Sequence, residues 1–385
     1  VRRPGPVWLW PWCLFLLLLP FEAIWYGIGA GLAFNGLGLF SALLLFVANR
    51  DRHRLLAGRG LAVALLITAL NFSIFVSIRP RDTKEYLVSI GIAYLLYMLS
   101  TTPRLKVRHL DAPLRAWAWG GAMAAVCTLM AFAAGQTVVD GRASLILLGV
   151  QTDPNFFSGE LLGPFAVALT LLRQPGRRLE GAVTAAVMAL GVFVTQSRGG
   201  LLAMVAVPIA LLALERRWAI LGALVGAIAA GYAAIIPLYG RLDLLHDPTG
   251  SGRTDIWEIG LATGFQNWWC GIGLEAFPIV AAGAPGLFSD LSLHNTYLQA
   301  FVEAGLGALL ALLAVWATHW PIRKDAPWAT PLQAALVGVA VISVFLHLLT
   351  YRFIWIAWIL AAQAQNADPS PERPSLRRPR LAIAR

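Results

Sequence analysis

The chain has 385 residues, 58% of them hydrophobic and only 13% charged, with a net charge of +10. A soluble domain carries about a quarter charged residues, so this chain lacks the polar groups to cover its own surface, and a soluble enzyme is excluded. The basic residues sit in short clusters between apolar runs, which suits a polytopic membrane protein and not a nucleic-acid binder.

Windows of about twenty apolar residues give twelve candidate spans, roughly 8–27, 29–48, 60–78, 86–102, 116–135, 156–172, 181–197, 200–214, 218–238, 295–318, 331–350 and 353–366. Arg2-Arg3 before the first apolar run looks like a signal peptide, but no A-x-A site follows, so the segment is read as a retained first helix. With a cytoplasmic N-terminus, the inside segments hold 22 Lys and Arg and the outside segments 8. That asymmetry obeys the positive-inside rule and places both termini in the cytoplasm. Residues 1–366 then form one integral membrane domain. Residues 367–385, rich in Pro, Arg and Ser, are expected to be a disordered cytoplasmic tail touching anionic headgroups. The connection 239–294, between spans 9 and 10, is far longer than the others. Its Trp257, Phe265, Trp268, Trp269, Phe277 and Phe288 argue for an ordered, helical periplasmic loop.

Three cysteines, two of them inside apolar runs, support neither a zinc site nor a disulfide scaffold. The D-x-D, H-E-x-x-H, G-x-x-x-x-G-K-[ST] and GxSxG motifs are absent from the sequence. Metal-assisted hydrolysis, ATP-driven transport and triad hydrolysis therefore have no foothold, and no metal or cofactor is expected.

Polar residues on the outside carry the chemistry. Thr195-Gln-Ser-Arg-Gly-Gly200 joins two spans, so Arg198 sits at the outer rim, either snorkelling to the interface or gripping a diphosphate with its planar fork. Thr249-Gly-Ser-Gly-Arg-Thr-Asp-Ile-Trp-Glu258 opens a helix with capping-box spacing between Asp255 and Glu258. Ile256, Trp257, Leu261 and Phe265 would form its apolar stripe on the outer leaflet. Arg253 at its mouth either meets an anion or pairs with Asp255. Trp268 and Trp269 suit a membrane interface.

His294 opens the tenth span in Leu293-His-Asn-Thr-Tyr-Leu298. His53, His109 and His319 fall in cytoplasmic segments, His246 in a Pro-Gly stretch, and His347 near the outer end of a span. His294 alone combines an outer position, a helix start and polar neighbours. A helix N-terminus favours the neutral imidazole, so His294 is the candidate general base, the alternative being a helix cap. Ser197, Asn295, Asp153, Arg79, Arg81, Arg352 and the intramembrane Glu303 are possible supporting residues. Several arginines on one face imply an anionic ligand.

Thr195-Gln-Ser-Arg-Gly-Gly-Leu-Leu202, Gly250-Ser-Gly-Arg-Thr-Asp-Ile-Trp257, Gly271-Ile-Gly273, His294-Asn-Thr-Tyr-Leu298 and Glu303-Ala-Gly305, with Asp153-Pro-Asn155, resemble the O-antigen ligase superfamily over about residues 150–310. That superfamily includes WaaL-type O-antigen ligases, Wzy-type O-antigen and exopolysaccharide polymerases, and some protein O-oligosaccharyltransferases. The resemblance implies an all-α, GT-C-like fold of about 12 spans in the bacterial inner membrane, with a periplasmic active site. It implies a glycan donor on undecaprenyl diphosphate, and as acceptor the lipid A core or a second lipid-linked glycan. Arg198 and Arg253 match the family's diphosphate-binding arginines and His294 its essential histidine. Many members carry a second histidine where this chain has Ser292.

The expected activity is metal-independent, inverting transfer of the glycan to lipid A core. The alternative is a polymerase joining lipid-linked repeat units. A third reading, a twelve-span secondary transporter, rests on Asp51-Arg-His-Arg-Leu-Leu-Ala-Gly-Arg59. It lacks the two similar halves and the long central cytoplasmic loop that such proteins have.

Overall fold

The computed structural model describes residues 6–49, 58–138, 141–235, 253–283, 292–320 and 328–367. The tail beyond residue 367, His246 and the glycines ahead of Arg253 lie outside them, as does most of the basic segment from Asp51. In chain order the described residues form α1 (Trp10–Leu18), α2 (Glu22–Gly27), α3 (Gly31–Ala48), α4 (Arg59–Phe72), α5 (Pro80–Thr101), α6 (Asp111–Ala133), α7 (Pro154–Glu160) and α8 (Leu162–Leu171). There follow α9 (Arg178–Val194), α10 (Arg198–Leu214), α11 (Trp218–Ile235), α12 (Arg253–Gln266), α13 (Phe277–Ala282), α14 (Thr296–His319), α15 (Ala329–Ile342) and α16 (Arg352–Asn366).

The expectation of an all-helical chain needs one amendment. β1 (Ile146–Leu147) and β2 (Val150–Gln151) form a small antiparallel hairpin. Leu148 and Gly149 both have positive φ, at 53° and 78°, the signature of a two-residue type I′ turn.

Among the described residues, four segments are long and apolar enough to cross a membrane: Val7–Gly27, Gly31–Ala48, Val107–Ala133 and Thr296–His319. Shorter apolar helices accompany them, among them Arg59–Phe75, Arg198–Leu214 and Ala329–Ile342. Sequence and structure differ over the expected sixth span, which is α7 and α8 joined at Leu161. They differ again at 331–350, where the helix stops at Ile342 and residues 343–350 are non-helical. Thr296 accounts for that stop: its amide bonds Ser343 O at 2.8 Å and its hydroxyl Leu346 O at 2.6 Å. These carbonyls are satisfied from outside their own helix.

Every residue of α16 is buried, as expected for a helix that is apolar nearly all round. Its side-chain amides reach neighbouring helices: Gln363 bonds Ser100 O, Gln365 bonds His319 O and Asn366 bonds Thr101 O. At its other end Arg352 is 2% exposed and reaches Ser89, Tyr26 and Asn35, with Glu22 beside it. The guanidinium thereby ties α2, α3 and α5 to the start of α16.

Helix α14 is interrupted at Gly305 (φ 84°, ψ 177°). The break turns the amide of Leu306 to Trp268 O at 2.7 Å, and the amides of Ile272 and Gly273 take Val302 O and Glu303 O at 3.1 and 2.9 Å. The loop thus docks backbone to backbone into the broken helix. The partners of this dock are Gly271-Ile-Gly273 and Glu303-Ala-Gly305. At Gly271 (φ 72°) a Cβ would lie 2.3 Å from the carbonyl carbon of Glu303. Replacing Gly271 with alanine is therefore expected to cost about 3 kcal/mol, from a forced backbone shift and left-handed strain together. Thermal unfolding in detergent checks this, with Gly36→Ala, where a Cβ meets open space, as the silent control.

Candidate functional site

Four helix starts, those of α7, α10, α12 and α14, carry or adjoin the residues singled out from the sequence. Each start is built by its local chemistry. Asp153 caps α7 by accepting from the amides of Asn155 and Phe156 at 2.7 and 3.1 Å. Ser197 caps α10 through the amide of Gly200. Asn295 caps α14 by accepting from Tyr297 and Leu298, both at 3.0 Å. Side-chain oxygens of these types satisfy amides that have no partner within the helix.

Asn155 joins two of the starts. Its Oδ1 accepts from the Ser197 hydroxyl and from the Arg142 guanidinium, each at 2.8 Å. Arg142 also bonds Thr195 O at 2.9 Å, which fixes the turn ahead of Arg198. Arg198 is then the first residue of α10. Behind it, a Cβ on Gly199 would come within 2.9 Å of Phe345, so the glycine lets that ring lie against the helix start. The guanidinium of Arg253, the first residue of α12, sits 5.9 Å from the same ring, within the range of a cation–π contact.

Helix α12 divides the expected stripe: Leu261 and Phe265 are exposed, as residues on an outer leaflet would be, whereas Ile256 faces inward with Gly260, Thr263 and Gly264. Small residues let α12 approach α14 closely: Gly260 lies against Leu293 and Leu298, and Gly264 against Phe301 and Val302. The expected capping box is not formed as read: α12 already begins at Arg253, so Asp255 and Glu258 both lie inside the helix and Asp255 is not its N-cap.

This packing carries Arg253 to His294. Trp257 donates to Leu293 O at 2.9 Å, holding the residue before the histidine. His294 itself has φ 44°, a left-handed conformation that costs a non-glycine residue about 1–3 kcal/mol and recurs at functional sites. Its ring is half-buried and its Nδ1 is shut away without a hydrogen-bond partner among the described residues.

The electrostatics follow from this crowding. Burial first, then the positive charge of Arg253, hold the His294 imidazole below its ordinary value, while Asp153 pulls the other way. The sequence argument credited the helix start; desolvation and the neighbouring guanidinium are the larger causes. Arg253 is likewise held below its usual value by burial and by Arg198, against Asp153. Two mutually repelling cations and a neutral imidazole share one place, an arrangement that a bound anion would relieve.

The structure places the other candidates elsewhere. Arg79 pairs with Asp82 at 2.6 Å and Arg81 with Glu85 at 3.4 Å at the start of α5. Arg79 also lines a separate cavity of about 360 Å³ with Asp82, Glu85, Tyr86, Ser89, Glu275, Pro278 and Thr350. Glu303 is buried and accepts from the Phe277 amide and from Gln299 at 3.2 and 3.0 Å, fastening α13 to α14. Arg352 is committed to the contacts around Glu22. Among the described residues no group of three or more His, Cys, Asp or Glu side chains is placed to hold a metal ion.

Sequence reasoning missed the segment 343–350. Phe345 underlies Arg253, and two residues on, the His347 ring lies 5.4 Å from that of His294. The segment was hidden inside an apolar window read as one span, and its one signal was a histidine at the window's outer end.

His294 thus lies under the charge of Arg253, and Arg253 under that of Arg198, at or just before the starts of α14, α12 and α10. Residues 183–313 match the family model described as O-antigen ligase. No curated protein matches the chain. The matched segment runs from α9 into α14 and contains Arg198, Arg253 and His294.

Proposed function

We propose that the protein transfers a glycan from undecaprenyl diphosphate to the lipid A core oligosaccharide at the periplasmic face, with inversion at the anomeric carbon. The fold would be GT-C-like with about twelve spans and both termini in the cytoplasm. The observation that carries the reading is the burial of His294 beside Arg253, itself under the charge of Arg198.

The donor's leaving group is already a diphosphate, so its departure needs positive charge and not a strong acid. Arg198 and Arg253 supply that charge without calling on a metal. His294 takes the proton from the acceptor hydroxyl as its oxygen forms the new bond to the anomeric carbon and the carbon–diphosphate bond breaks. Attack from the face opposite the diphosphate inverts the centre. A polymerase would use the same donor and the same three residues. The cavity beside Thr350 gives that alternative an observation of its own, because Asp82, Glu85 and Glu275 line it. Carboxylates accept from sugar hydroxyls and repel phosphate groups.

The deciding experiment is transfer by purified, reconstituted protein given undecaprenyl-diphosphate glycan with lipid A core, with and without EDTA, and separately given donor alone. Core-dependent product that survives EDTA supports the ligase. Longer lipid-linked chains from donor alone replace it with the polymerase, and no product in either arm rejects both.

The electrostatics add a pH prediction. The active His294 is neutral and its proton affinity is lowered in the folded protein, so activity should persist below pH 6.5, the ordinary imidazole value. Asp153→Asn keeps a capping side chain but removes the charge that favours protonation, so the acid limb should move to still lower pH. The rate–pH profile of each protein at saturating donor checks both.

A further inference from the structure

His294 has a neighbour that the reaction described so far leaves unused. The rings of His294 and His347 are 5.4 Å apart, centroid to centroid, and inclined at 48°. In both, Nδ1 is buried and has no hydrogen-bond partner among the described residues. Two orphaned nitrogens on neighbouring rings are unusual, because buried polar atoms are nearly always satisfied.

The backbone fixes this pairing. Thr296 lies two residues after His294, and its amide and hydroxyl bond Ser343 O and Leu346 O. The same hydroxyl accepts from the Leu348 amide at 3.0 Å. One threonine therefore clamps the chain on both sides of His347 to the residues that follow His294. The His347 ring is held by aromatic neighbours: its edge meets Phe156 at 5.1 Å, and Phe156 stacks on Tyr351 at 4.2 Å.

A neutral histidine that accepts a proton at Nε2 must carry its own proton at Nδ1, and that Nδ1–H needs an acceptor. Triads meet this need with a third group that holds the base in one tautomer. We propose that His347 is the positioning residue of His294, its Nδ1 lone pair accepting from His294 Nδ1–H, directly or through one water, so that His294 Nε2 is the nitrogen presented to the acceptor hydroxyl. When His294 takes the hydroxyl proton, its ring becomes an imidazolium with protons on both nitrogens. His347 stays neutral and holds the Nδ1 proton by the same bond. The charged groups bearing on the pair are Arg253 from α12 and Asp153 from the cap of α7, with the Tyr351 phenol beside His347.

This inference rests on His294 being the base, and the test separates the two. Full-length protein is purified with His347→Phe, which keeps a ring against Phe156 and Tyr351, and with His347→Asn, whose Oδ1 stands near where Nδ1 was. Each is made also in a His294→Ala background. Transfer from undecaprenyl-diphosphate glycan is measured across pH, together with donor affinity and thermal unfolding. The expected result is about a hundredfold loss of rate for His347→Phe with donor affinity and unfolding unchanged, recovery to within about tenfold by His347→Asn, and no added loss in the His294→Ala background. A wild-type rate and pH profile for His347→Phe, with His294→Ala inactive, overturns the positioning role alone. Equal losses in both His347 variants accompanied by a lowered unfolding temperature also overturn it, in favour of packing. A wild-type rate for His294→Ala removes the base, and this proposal with it.

Discussion

Replacing His294 with alanine is expected to lower glycan transfer by about 10²- to 10⁴-fold, the usual contribution of a positioned general base, which corresponds to about 3–5 kcal/mol of barrier. Donor binding should stay within about twofold, because the imidazole acts on the acceptor hydroxyl and the diphosphate belongs to the arginines. The fold should tolerate the change: the Asn295 cap and the Thr296 clamp that start α14 both lie after the histidine. A purified His294→Ala protein that binds donor normally and transfers at the wild-type rate would remove the proposed chemistry. Equilibrium binding of the donor measured beside the transfer rate keeps the two effects apart.

Arg253→Ala should affect both steps. Charge-assisted hydrogen bonds are worth about 1.5–3 kcal/mol each, so donor affinity should fall by about tenfold to a hundredfold, with a further loss of rate because the departing diphosphate gains charge. Lysine should restore part of the affinity and little of the rate, since it keeps the charge but not the planar fork. The same substitution carries a second signature. Arg253 holds the His294 imidazole down, so without it the acid limb of the rate–pH profile should move to higher pH, opposite to Asp153→Asn. A limb that does not move would mean that the two side chains do not share a site.

The sequence made the apolar helices and the candidate triplet legible for physical reasons. Apolar windows and the sparse charge reveal helices in a bilayer directly, and Arg198, Arg253 and His294 stand out because each is a polar group beside a glycine turn or a helix start. What stayed hidden depends on long-range contacts. Arg352 read as one more cation for a ligand, yet its charge is spent on Glu22 and the polar groups of Tyr26, Asn35 and Ser89, residues far away in the chain. Glu303 read as an intramembrane carboxylate with a functional bias, and it serves as a fastener for the Phe277 amide. The non-helical segment 343–350 escaped because its residues are as apolar as a span, and only Thr296, from a different helix, draws its carbonyls away. The contact of α12 with α14 escaped as well, because it runs through Gly260 and Gly264, which carry no apolar bulk to mark the face.

The interruption at Gly305 also divides α14 mechanically. The short arm before it, which begins at the asparagine after His294, shares its hydrogen bonds with Ile272 and Gly273, while Leu306 at the head of the long arm is tethered to Trp268. The amides of Ile272, Gly273 and Leu306 should therefore exchange with solvent deuterium as one cooperative unit. That unit fastens both arms of α14, and with the short arm the helix start that follows His294, to the loop between α12 and α13.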